Sequence, residues 1–158
     1  MRRVAITGLG AVTPIGLDAQ TTWESAVAGR SGVGFIETFD ASGFPVRIAA
    51  EVKGFDPETV APPKEVRRME RNVLIAVAAA QQAWSEAAVE GVDASRVGVV
   101  VGSAIGGIPG IAERTSMRAR GVAPGMAFPR LLSSQISYRM ASSAGDPGTN
   151  RREYARSG

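Results

Sequence analysis

The residues best placed to do chemistry stand together at 102–107, Gly-Ser-Ala-Ile-Gly-Gly, directly after a run of valines. Ser103 brings a hydroxyl, and Gly102, Gly106 and Gly107 let the backbone turn sharply or approach another group closely. A serine becomes a nucleophile only beside a base that takes its proton. The 158-residue chain has no histidine and no cysteine, and Lys53 and Lys64 lie far from this turn in sequence. Disulfides, thiolate or imidazole metal ligands, cysteine nucleophiles and Ser-His-Asp or Cys-His acyl transfer are therefore excluded within these residues. No cofactor and no metal site is expected, and no catalytic residue can be named.

Two other clusters invite a functional reading. Thr7-Gly8-Leu9-Gly10 opens like a dinucleotide-binding turn, but Thr13 stands where the third glycine belongs and Pro14 fits poorly in the helix that should start there. No acidic residue closes a second strand at the required distance, so the match is rejected. Arg67, Arg68, Glu70 and Arg71 form a charged cluster, read as the solvated face of a helix rather than a binding patch.

These positions need elements to hold them. Val97, Val99, Val100 and Val101 form a short, nearly uninterrupted β-branched run, which predicts a strand over 97–102 buried on both faces. A strand is expected over 4–8, feeding the first glycine pair. Val46, Ile48, Ala50 and Val52 alternate with polar or small residues, predicting a strand over 46–52 with those four toward the core. Thr21 and Glu24 read as a capping box, opening a short helix that places Trp23, Ala26 and Val27 on one apolar face and stops at Gly29. The longest helix is expected over 64–90, with Val66, Met69, Val73, Val77, Ala80, Trp84 and Ala88 as its apolar stripe. A short helix is expected after Pro109.

The chain is 44% hydrophobic and 21% charged, a globular composition. No apolar run approaches the length of a membrane span, and Met1-Arg2-Arg3 leads straight into a strand-like segment without a signal-peptide core. A cytoplasmic location with no membrane association is the expectation. Residues 1–117 hold 11 basic and 13 acidic residues, a balance of −2. Residues 118–158 hold 7 arginines against Asp146 and Glu153, a balance of +5. The arginines are scattered and no groove-reading motif accompanies them, so nucleic acid is not an expected partner. The shift marks a boundary instead. Residues 1–117 read as a partial domain and 118–158 as a divergent, poorly ordered tail, since 142–150 is a cluster of turn formers.

Five segments in order, RVAITGLGAVTPIG (3–16), TTWESAVAGRSGV (21–33), RIAAEVKGFDP (47–57), KEVRRMERN (64–72) and RVGVVVGSAIGG (96–107), resemble the first part of β-ketoacyl-acyl carrier protein synthases, the elongating type II condensing enzymes. The likeness runs from Met1 to about Thr115. It implies an α/β chain: the N-terminal half of a thiolase-like α-β-α-β-α layered fold, incomplete. The family's chemistry is acyl transfer to a cysteine followed by decarboxylative Claisen condensation with malonyl-carrier protein. Its partners are acyl carrier protein, acyl and malonyl thioesters and a second copy in a homodimer. The cysteine, two histidines and a lysine of that scheme cannot be assigned to any position here. One position carries over. Ile105 matches the family residue that borders the acyl pocket, where its bulk would limit the acyl chain; the alternative is a plug in the core beneath the turn.

The resemblance makes the chain a fragment of a condensing enzyme in fatty acid biosynthesis, inactive alone. The arginine-rich tail is what an out-of-frame end would look like. The alternatives are a non-catalytic ketosynthase-like partner, similar to the chain-length factors of polyketide systems, and an unrelated nucleotide-binding α/β domain.

Overall fold

The structure is a computed structural model that describes residues 3–103 and 107–108. The tail at 118–158 and the helix expected after Pro109 lie outside the described residues. Within them the order is α1 (Ala19–Val27), β1 (Val33–Phe35), β2 (Ile48–Ala50), a 3-10 turn (Pro57–Thr59), α2 (Pro63–Val66), α3 (Arg71–Ala87) and a second 3-10 turn (Ala94–Arg96).

Helix α3 is the centre of the packing. Val73, Leu74, Val77 and Ala78 recur on one helical face and are buried, joined by Val60 and Ala61 from the chain just before α2. Val12, Phe55, Val66, Met69, Val99 and Val101 pack against this cluster. The helix expected over 64–90 is thus two. Glu70 takes an extended backbone between them (φ −70°, ψ 148°), and Arg71 at the start of α3 donates to the Val52 carbonyl at 2.7 Å. Pro63 sits at the first turn of α2, where its missing N–H costs nothing, and that helix ends after a single turn. The break lets Val66 and Met69 reach the core from a different direction than α3. At the far end Ala88 adopts the left-handed conformation and Gly91 follows with φ +65°.

Helix α1 begins one turn earlier than the capping box implied. Asp18 is the N-cap, accepting from the Thr21 N–H at 2.7 Å and the Thr21 hydroxyl at 2.9 Å. Glu24 instead accepts from the Gln20 side-chain amide at 2.7 Å. The apolar face was misplaced too: Trp23 is 67% exposed, Val27 is also exposed, and Ser25 is the buried residue. Hydrogen bonding explains this orientation. The Thr13 and Thr22 hydroxyls meet at 3.1 Å beside the Gly16 carbonyl, which accepts from one while the other hydrogen joins the two threonines, and this holds α1 by its polar side. Gly16 has no room for a side chain, since a Cβ would lie 2.3 Å from the Thr22 nitrogen. The helix does end as expected, at Ala28 followed by Gly29 with φ +66°.

Strands β1 and β2 form an antiparallel pair with Val33 opposite Ala50, Gly34 opposite Ala49 and Phe35 opposite Ile48. The strand expected over 46–52 is present but shorter, and its faces are reversed. Ile48 is 54% exposed, whereas Ala49 is half-buried opposite Gly34. The small residues Gly34 and Ala49 share the half-buried face, and the bulky Val33, Phe35 and Ile48 share the exposed one.

The strands expected over 4–8 and 97–102 are not formed among the described residues. A strand exists only through a ladder with a neighbour, and neither segment has one here. Val4 is 94% and Ile6 83% exposed. The valine run is covered on one face alone: Val99 and Val101 touch the core, whereas Val100 between them is 97% exposed.

Candidate functional site

The glycine-rich loop grows out of the core. Val99 and Val101 anchor its incoming stem beside the buried face of α3, and Gly102 and Ser103 then emerge into solvent. On the outgoing stem Gly107 has φ +60°, a conformation that favours glycine, and its Cα faces the Glu70 side chain (Cγ 3.6 Å from an ideal Cβ). Val99 and Val101 thus join this segment to the core on α3, and Gly107 stands near Glu70, the N-cap residue of that helix. Ile105, the single residue the sequence nominated for a pocket, lies outside the described residues. Among the described residues no hydrogen bond joins Ser103 to a base; Lys53 is paired with the Glu37 carboxylate at 2.5 Å, and Lys64 is exposed on α2.

The first glycine pair has a purely structural occupation. Segment 8–11 runs along α3, where Ala79, Ala83 and Ala87 repeat every four residues and leave a smooth track. A Cβ on Gly8 would lie 2.1 Å from the Ala83 oxygen, and one on Gly10 would lie 1.9 Å from the Ala79 oxygen. Two backbone N–H groups in this stretch are taken by side chains of the same helix. Ala11 donates to Gln82 at 3.0 Å, Leu9 donates to the Glu86 carboxylate, and Gln82 donates to the Leu17 carbonyl at 2.7 Å. The glycines thus meet a helix flank rather than a phosphate, and the chain closes a Thr13–Gly16 bridge where a dinucleotide fold would open its helix. Rejecting the nucleotide fingerprint agrees with this geometry. Gln82 and Glu86 were missed from sequence, although a polar pair four residues apart on an alanine-rich helix is a readable signal.

An open groove of about 1080 Å³ lies between α1, α3 and segment 9–11, walled by Leu9, Trp23, Ala26, Val60 and Ala78. Of the acidic and amide side chains that line it, Gln82 and Glu86 already hold backbone atoms and Asp18 caps α1. The charged cluster at 67–71 divides. Arg67 and Arg68 are exposed between α2 and α3, whereas Arg71 is spent on Val52 and stands 5.8 Å from the Phe55 ring centre.

Three of the perturbed carboxylates, Asp18, Asp40 and Asp93, accept from residues two or three positions on, and the fourth, Glu51, reaches from the end of β2 to the chain after β1. Asp18 is held below the usual aspartate range by the Thr21 N–H and then the Thr21 hydroxyl. The Thr38 hydroxyl and the Glu37 N–H do the same for Glu51, and Ser42 and Ser95 for Asp40 and Asp93. A depressed carboxylate is a stabilised anion, the opposite of a group poised to give up a proton. No helix among the described residues is long and apolar enough to cross a membrane.

Comparison with known proteins supplies what the side chains alone do not. Residues 1–146 match the family model described as β-ketoacyl synthase, N-terminal domain. The matched span passes residue 117, where the charge balance changes. The chain is 48% identical over 112 residues to 3-oxoacyl-[acyl-carrier-protein] synthase 2 of Coxiella burnetii, covering 70% of this chain and 27% of the relative. It is 36% identical over 154 residues to the protein of the same name from Synechocystis, covering 94% and 37%. The chain thus spans roughly a third of the length of the curated relatives it matches. Among solved structures, a β-ketoacyl synthase from Burkholderia phymatum superposes with TM-score 0.69 at 28% identity, over 88% of this chain and 37% of that one. The ishigamide ketosynthase/chain length factor superposes with TM-score 0.60 at 30% identity, over 87% and 33%. The fold is accordingly an incomplete α/β arrangement of the thiolase-like ketosynthase kind. With its helix-packed glycine pair and its valine-to-glycine loop both inside the matched span, this chain belongs to the β-ketoacyl synthase family.

Proposed function

We propose that these residues are the N-terminal part of a condensing enzyme of fatty acid biosynthesis, one that joins an acyl thioester to malonyl-acyl carrier protein by decarboxylative Claisen condensation. The observation that carries this reading is the 48% identity over 112 residues to a 3-oxoacyl-[acyl-carrier-protein] synthase 2. Acyl carrier protein and its acyl and malonyl thioesters are the partners, a homodimer the assembly and the cytoplasm the setting.

The chemistry divides the work sharply. The acyl group must first be captured covalently by a thiolate, and preorganised donors must then hold the charge that develops on the enolate. The 158 residues supply no thiol and no imidazole, so on their own they perform neither step. What they contribute is a scaffold: a core on α3 that carries the glycine-rich loop. Ile105, within that loop, borders the acyl pocket and limits its depth by bulk.

A chimera tests the proposal. The aligned 112 residues replace their counterpart in the Coxiella relative, and condensation is followed with acyl carrier proteins bearing chains of graded length. The chimera is expected to condense, and Ile105→Ala within it to extend the range toward longer acyl chains. A folded chimera with no condensation overturns the family role. Unchanged chain-length preference in the Ile105 variant overturns the pocket assignment alone. The match to a ketosynthase/chain length factor supports a second reading, a non-catalytic partner subunit. A chimera that folds and assembles with an active ketosynthase, but never condenses, would favour it.

A further inference from the structure

No further inference is drawn: the strongest candidate, the outward face of the β1–β2 pair where Val33, Phe35 and Ile48 stand exposed together, is an unpartnered apolar surface, and nothing in the structure shows what covers it.

Discussion

Gly10 lies against the carbonyl of Ala79 so closely that a Cβ built on it would sit 1.9 Å from the oxygen. That contact is backbone on backbone, so no side chain can swing aside to relieve it. Two residues earlier Gly8 repeats the relationship with Ala83, one helical turn along α3. A spacing of two on an extended chain thus matches a spacing of four on a helix.

Gly10→Ala is expected to destabilise the fold by about 1–3 kcal/mol, the usual cost of forcing atoms into a filled space. Gly34→Ala is the control, because nothing lies within 4 Å of its Cβ position, and its effect should stay within about 0.5 kcal/mol. Urea denaturation of both variants reads the difference. Equal midpoints for the two would refute the close packing.

Gln82 holds two backbone groups at once, accepting from Ala11 and donating to Leu17. Gln82→Leu leaves both without their partner and should cost about 1–3 kcal/mol for each group that water does not reach. Gln82→Glu keeps the acceptor for Ala11 and loses the donor for Leu17, so an intermediate loss is expected. Amide hydrogen exchange at Ala11 separates the two: fast in the leucine variant, near the parent rate in the glutamate variant. Fast exchange in both would contradict the assignment.

The depressed carboxylates set the response to acid. Asp18, Asp40, Glu51 and Asp93 all lie below their ordinary values of 3.8 for aspartate and 4.5 for glutamate. Their folded forms bind a proton less readily than the unfolded chain does. Their contribution is complete above those ordinary values and is lost as pH falls through the depressed ones. No histidine is present to titrate nearer neutrality. The unfolding midpoint should therefore be flat from pH 8 to pH 6 as far as side chains decide it, and should drop below about pH 4. Asp18→Asn, which keeps an N-cap acceptor without the titrating charge, should weaken the acid dependence. A midpoint that rises on acidification would reverse the sign and contradict the cause.

Legibility from sequence tracked how local each determinant is. The middle of α3 could be read from Val73, Val77, Ala80 and Trp84, because helical periodicity is written within one segment. Its early break at Glu70 could not, and it coincides with a long-range contact, Arg71 reaching back to the Val52 carbonyl. The faces of α1 and β2 were inverted for a similar reason. Thr13 and Thr22 hold α1 through hydroxyls nine residues apart, and the face of β2 follows its pairing with β1, where Ala49 lies opposite Gly34. Asp18 as N-cap was readable, but Thr21 and Glu24 offered a rival box one turn on. For the candidate site, sequence pattern nominated Ile105, which lies outside the described residues, and rejected a nucleotide fingerprint at Gly8–Gly10. It did not reveal that those glycines serve α3.

The most direct measurement is the intact mass of the purified 158-residue chain after incubation with acyl- and malonyl-acyl carrier protein, in a preparation free of host condensing enzyme. Loss of one member of a catalytic constellation typically lowers turnover by several powers of ten, and here the thiol and imidazole are both absent. The mass should remain that of the unmodified chain, with no ketoacyl product above the uncatalysed background. Stoichiometric acylation, at Ser103 or anywhere else, or measurable turnover would contradict the account.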